Sequence, residues 1–229
     1  VGVKLVMPGV FEFYPDDDPD NPNDDTERYA NLARHSNIPP ETRLTERLYT
    51  FEMVTGREEG FEASKAFVRG EIVPPLLLLY GLPGTSKTHL AVAIGWAFLS
   101  QLKSVHYCHV GELLDDLREG YKIGGSLSPG EFNKDSYDAI MKRVKNSSLL
   151  ILDDLGVQKD NYWVLEKLDI IMDYRWRNKL PTVVTANTLE IPERVFDRIR
   201  EGKVVRLQGE SYRVIRQRRK QDAAKEGLG

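Results

Sequence analysis

Short unbroken apolar runs alternate along this chain with stretches in which apolar residues recur every three or four positions. Leu76–Tyr80, Leu149–Leu152 and Thr182–Ala186 are runs of the first kind. Each reads as a strand covered on both faces. Ser104–Val110 and Val204–Leu207 are weaker strands of the same set. Between them the spacing predicts helices over His89–Leu102, Gly111–Gly120, Ser136–Lys145, Tyr162–Asn178 and Pro192–Arg200. Upstream, Val3–Tyr14 alternates weakly and predicts a short strand. Thr26–His35 reads as a short helix capped by Thr26, and Arg43–Thr50 and Gly60–Arg69 as two more, with Ile38-Pro-Pro40 and Pro74-Pro75 as breaks. Gly120–Gly130, with its four glycines, predicts a loop, and Tyr212–Lys220 a basic helix or tail. Strands that alternate with helices imply an α/β fold with a mainly parallel central sheet flanked by helices.

The joint between the first strong strand and its helix carries chemistry. Gly81-Leu-Pro-Gly-Thr-Ser-Lys-Thr88 follows Tyr80 and opens the apolar helix. It fits the phosphate-binding pattern G-x-x-x-x-G-K-[ST] at every specified position except the sixth, where Ser86 stands for glycine. In such a loop, backbone N–H groups and the helix N-terminus face phosphate oxygens. Lys87 would reach the β- and γ-phosphates, and Thr88 would offer its hydroxyl to Mg²⁺. Glycine before the lysine adopts a backbone conformation that costs other residues about 1–2 kcal/mol. Ser86 is therefore expected to slow turnover about tenfold rather than abolish it, and Ser86→Gly to raise it.

Two acids end the second strong strand. Asp153 stands 66 positions after Lys87, behind four apolar residues, where a metal-holding carboxylate belongs. Asp154 beside it would orient or deprotonate the attacking water. Asn187 ends the third strong strand, at the edge where open α/β sheets bind ligands, and an amide there can position the same water. Arg194, Arg198 and Arg213 are candidates for stabilising charge on a transferred phosphoryl group, one of them supplied by a neighbouring subunit.

Composition bounds the rest. The 229 residues, 41% hydrophobic and 29% charged, fit one globular domain with extensions or two small ones. Net charge is −3, but its distribution is uneven. Residues 1–27 hold eight acids and one base, and residues 194–220 hold ten bases and three acids, so each end presents a polar surface to a partner. Basic side chains near the C-terminus, with Arg118, Tyr121 and Lys122, suit phosphate contact and base stacking on single-stranded DNA. A single cysteine, Cys108, allows no intrachain disulfide. No run is long and apolar enough to cross a membrane, and no signal peptide is visible, so a cytoplasmic location is expected. The chain begins at Val1 rather than Met, which suits a piece of a longer protein.

These motifs together resemble the AAA+ ATPases of the DnaC/DnaI helicase-loader and IstB transposition-helper group. The resemblance rests on Gly81-x-x-Gly84-Thr85-x-Lys87-Thr88-His89-Leu90-Ala91, Leu117-Arg-Glu-Gly-Tyr121, Leu150-Ile-Leu-Asp-Asp-Leu-Gly156, Pro181–Asn187 and Gly209-Glu-Ser-Tyr-Arg213. It implies a P-loop fold with a small or reduced C-terminal lid, an acidic extension over 1–41, an ATPase domain over 42–215 and a basic tail over 216–229. It implies ATP and Mg²⁺ as cofactors. Nucleotide contacts fall at Gly81, Gly84, Thr85, Ser86, Lys87, Thr88 and His89, and metal contacts at Thr88 and Asp153. Catalytic roles fall to Asp154, to Asn187 as sensor 1, to Arg198 as an arginine finger acting in trans, and to Arg213 as sensor 2. Rings or spirals of subunits, single-stranded DNA and a replicative helicase are the implied partners. The acidic N-terminus does not resemble a helicase-binding region, so a transposase is the alternative partner. A nucleotide-binding module with little turnover is the alternative of another class, and a small-molecule kinase would not need the arginine set.

Overall fold

The structure, a computed structural model, describes residues 2–7, 10–14, 24–124, 136–156, 162–212, 214–215 and 217–218. The expected sensor-2 residue Arg213 and most of the expected basic tail over 216–229 lie outside the described residues.

In chain order, β1 (Gly2–Met7) and β2 (Val10–Tyr14) form an antiparallel hairpin, followed by α1 (Asp24–Arg34) and α2 (Glu58–Val68). Next come β3 (Leu76–Tyr80), α3 (Lys87–Ser100), β4 (Val105–His109), α4 (Val110–Gly124) and α5 (Tyr137–Asn146). The remainder is β5 (Leu149–Leu155), α6 (Tyr162–Arg177), β6 (Thr182–Ala186), α7 (Glu193–Ile199) and β7 (Lys203–Arg206). The last five strands make one sheet in the order β4-β5-β6-β3-β7, all parallel. Parallel neighbours need crossovers, and the helices supply them on both faces.

The apolar runs explain why the sheet is central. Leu77, Leu79, Ile151 and Val183 point to one side, into a core with α3, Tyr29, Ile38 and Phe67. Leu76, Leu78, Leu150, Leu152 and Val184 point to the other, onto the apolar sides of α4, α5, α6 and α7. Strands with two buried faces cannot alternate apolar with polar, which is why the runs are continuous. The helix after the loop is buried from Leu90 to Ser100 without a break. Tyr29 and Ile38, upstream of residue 42, belong to the same core.

Three local expectations change. Val3–Tyr14 is two strands. Residues 43–50 are not an α-helix: a 3-10 turn over Pro40–Arg43 is followed by irregular turns. Threonine hydroxyls take the backbone partners a helix would use, Thr42 Oγ1 donating to Pro39 O and the Arg47 amide donating to Thr50 Oγ1. α4 runs through Gly120 to Gly124 rather than ending at a loop, because Gly120 lies on the buried side with Leu113 and Leu117. Residues 125–135 of the expected glycine loop lie outside the described residues.

Candidate active site

The loop between β3 and α3 turns in the manner its sequence requires. Ser86 sits at φ +70°, ψ 22°, the left-handed conformation glycine normally takes. Lys87 is 7% exposed, and its Nζ donates to the carbonyls of Gly81 (2.7 Å) and Leu82 (3.0 Å). Burial pulls the ammonium below the usual lysine value, opposed by the charges of Asp154 and Asp153. Thr85 is buried and donates to the Leu82 carbonyl (2.8 Å).

The chain's C-terminal segment lies directly against this loop. A Cβ on Gly81 would sit 2.1 Å from the Leu207 carbonyl oxygen, and one on Gly84 would sit 2.1 Å from Ser211 Oγ. Only glycine permits either approach. The Tyr212 amide donates to the Gly84 carbonyl (2.9 Å).

Asp153 is the hub of the site. Thr88 Oγ1 donates to its carboxylate (3.0 Å to Oδ1), Thr185 Oγ1 donates to Oδ1 (2.6 Å) and the Tyr107 hydroxyl donates to Oδ2 (2.8 Å). Burial, then the Asp153 charge, pushes the Tyr107 phenol upward, so it remains a donor. The ladder between β5 and β6 shifts register between Leu152 and Leu155. Within that irregularity Asp154 takes φ +57°, and its amide donates to Thr185 Oγ1 (2.9 Å). Thr185 thus satisfies the backbone group displaced from the ladder while fixing Asp153.

Asp154 is exposed at the strand end. Asn187 Nδ2 donates to its Oδ1 (2.8 Å), and His109 Nε2 lies 3.6 Å from its Oδ2. The structure therefore brings Lys87, Thr88, Asp153, Asp154 and Asn187 to one edge of the sheet, at the C-terminal ends of β3, β5 and β6. Arg194 and Arg198 instead face α6. Arg194 pairs with Asp169 (3.5 Å), and Arg198 pairs with Asp173 (3.3 Å) and stacks over Trp176 (4.8 Å). His89 turns from the loop toward the 47–51 turn, its ring edge against Phe51 and its Nε2 3.4 Å from the Arg47 carbonyl. Of the suggested DNA contacts, Tyr121 is exposed and meets Tyr137 edge-on, while Arg118 pairs with Asp115.

Sequence reasoning missed Tyr107, His109, Thr185 and Arg57. Tyr107 and His109 are two apart on β4, and His109 lies opposite Asp153 in the ladder. Polar residues at i and i+2 near the end of a strand were the available signal. For Arg57 there was none.

The donor set fits a magnesium ion held partly by substrate. Thr88 and Asp153 bring one hydroxyl and one carboxylate within 3.0 Å, and among the described residues no cluster of three or more His, Cys, Asp or Glu forms an all-protein cage. Mg²⁺ keeps several waters and shares phosphate oxygens, so two protein groups suffice.

A parallel sheet in this order, with a phosphate loop after the inner strand β3 and an acid on β5, one strand beyond β3's neighbour β6, defines an AAA+ P-loop ATP-binding fold. The chain belongs to the IstB-like ATP-binding protein family, whose model matches residues 20–221. It is 30% identical over 128 residues to the replicative helicase loader DnaC of Escherichia coli (strain K12), covering 53% of this chain and 49% of that protein. The chain thus spans about half the length of the curated relatives it matches. Among solved structures, AMPPCP-bound DnaA from Aquifex aeolicus superposes with a TM-score of 0.65 at 18% identity, covering 80% of this chain and 56% of that one. The DnaC helicase loader superposes at 0.59 and 22% identity, covering 73% of this chain and 99% of that one. At these identities the structures support the fold alone.

Proposed function

We propose that this protein binds and hydrolyses ATP, and couples its nucleotide state to single-stranded DNA and a replicative helicase in the manner of a helicase loader. The observation that carries the nucleotide reading is the bond from Thr88 to Asp153, which ties the phosphate loop to the acid two strands away, beside the Asp154–Asn187 pair. The similarity to DnaC supports the choice of DNA transaction.

Lys87 and the loop amides bind the β- and γ-phosphates. Gly81, Gly84, Thr85 and Ser86 shape the loop, while the His89 side chain packs on the 47–51 turn. Thr88 and Asp153 would hold Mg²⁺, which would supply charge neutralisation on the phosphates. Asp154 orients a water for in-line attack and takes its proton, while the Asn187 amide fixes the carboxylate that does so. Arg198, acting on a neighbouring subunit in a ring or spiral, stabilises charge on the transferred group. Arg213 does so from its own chain. Positioning and electrostatics supply most of the acceleration.

A second reading, a transposition helper acting on duplex DNA, is favoured by the extent of the family match over residues 20–221. Phosphate release measured with single-stranded, duplex and no DNA separates the readings. Stimulation by single strands supports the loader, and stimulation by duplex supports the helper. Binding of ATP without phosphate release under all three conditions leaves a nucleotide module instead. Lys87→Ala is expected to remove ATP binding measured by calorimetry, and retention of wild-type affinity by that variant would overturn the nucleotide site itself.

A further inference from the structure

Arg57 stands beside the phosphate loop, bonded to Ser86. It precedes α2 and is 0% exposed, yet among the described residues no carboxylate pairs with it. Its Nη1 donates to Ser86 Oγ (2.8 Å) and its Nη2 to the Glu210 carbonyl (2.6 Å). Its guanidinium carbon lies 5.9 Å from the centre of the Tyr212 ring, and its buried Nε has no partner. A buried cation held only by neutral acceptors is costly unless an anion comes near it. Burial accordingly lowers the guanidinium's affinity for its proton, with Tyr212 opposing.

Ser86 is the point where that cation meets the loop. Its left-handed backbone is the strained feature the sequence announces. Its hydroxyl accepts a charge-assisted hydrogen bond that glycine cannot offer. The same guanidinium reaches Glu210, in the segment whose Ser211 and Tyr212 lie against Gly84. Arg57 therefore bridges the loop and the 207–212 segment.

We propose that Arg57 and Ser86 act as one unit. In it Arg57 is a positioning residue that holds the loop in its phosphate-binding shape through the Ser86 hydroxyl, and its uncompensated charge favours the anion-bound state. Ser86 is then the residue the site uses, and replacing it with glycine costs affinity instead of restoring it. This rests on the reading of Gly81–Thr88 as a nucleotide loop.

The test is a double-mutant cycle on the full chain: native, Ser86→Gly, Arg57→Gln and the double variant, with ATP·Mg²⁺ affinity read by calorimetry below every melting temperature. Arg57→Lys replaces Arg57→Gln if the latter is unfolded at the assay temperature. A hydrogen bond to a charged group corresponds to about tenfold in affinity. Ser86→Gly is expected to weaken binding by about that factor in the native background and to leave it unchanged or tighter when Arg57 is gone. A merely structural role would shift melting temperatures and leave the affinities of the folded variants alike. Equal effects of Ser86→Gly in the two backgrounds, or a gain in the native one, overturn the proposal. Lys87→Ala runs alongside: if the native chain binds no ATP, or Lys87→Ala binds as the native chain does, the nucleotide reading fails and this proposal with it. If only the cycle fails, the nucleotide reading stands.

Discussion

His106 is one of four histidines and sits in β4 on the same side as the buried Cys108, away from the acids. Burial, then the charges of Arg143 and Arg175, lowers its pKa to about 4. The unfolded chain takes up that proton near pH 6.5 and the folded chain does not, so stability falls as pH drops from about 6.5 toward 4. Thermal unfolding across that window should show a slope near one proton, about 1.4 kcal/mol per pH unit, that is flatter in His106→Gln. On the proposed mechanism, Asn187→Ala leaves Asp154 without its amide partner and is expected to lower kcat about tenfold to a hundredfold with KM little changed. A steady-state titration of ATP checks it, and an effect confined to KM would reassign Asn187 to binding. The site was legible in sequence where phosphate chemistry dictates residue type at fixed spacing: the loop, Lys87, Thr88, Asp153, and the two polar strand ends. It was not legible where partners depend on register. Thr185 serves Asp153 only because β6 lies next to β5, and Arg57 meets Ser86 across 29 positions of chain with no pattern joining them.

Among the elements, α6 packs its apolar face on the sheet and is tied at its end by one polar side chain. Arg175 is fully buried, and its guanidinium donates to Thr182 Oγ1, to the Pro181 carbonyl and to the carbonyls of Val144, Lys145 and Ser147. It thereby joins α6 to the end of α5 and to the entry of β6. Burial lowers its pKa to about 9, so it remains charged at neutral pH. Arg175→Ala strands these acceptors in the interior and is expected to cost about 3 kcal/mol or more, read as a lowered denaturant midpoint at unchanged slope. The strands were readable because each has two buried faces and hence an unbroken apolar run. The 43–50 region was misread for the converse reason. Its apolar spacing is helical, but threonine hydroxyls and the buried Arg47, stacked over Trp96 at 4.7 Å, select a turn.

For the whole molecule, the position of Arg198 on α6's side bears on assembly. In its own chain it is engaged with Asp173 and Trp176, not with the loop. If it serves a neighbour, as proposed, mixing inactive Lys87→Ala subunits with inactive Arg198→Ala subunits should recover part of the ATPase activity, because some interfaces then pair an intact loop with an intact arginine. No recovery at any mixing ratio would place its role within one chain. The buried helix that carries Lys87 has a further consequence. From Leu90 to Ser100 it presents no side to water, so its amide hydrogens can be replaced by deuterium only when the surrounding core comes apart. A bound nucleotide should slow that clock by the factor with which binding stabilises the folded chain as a whole. A further, local gain in protection should appear in residues 82–86 and in residues 207–212, which lie against the loop, and these two segments are where the molecule records directly what it has bound.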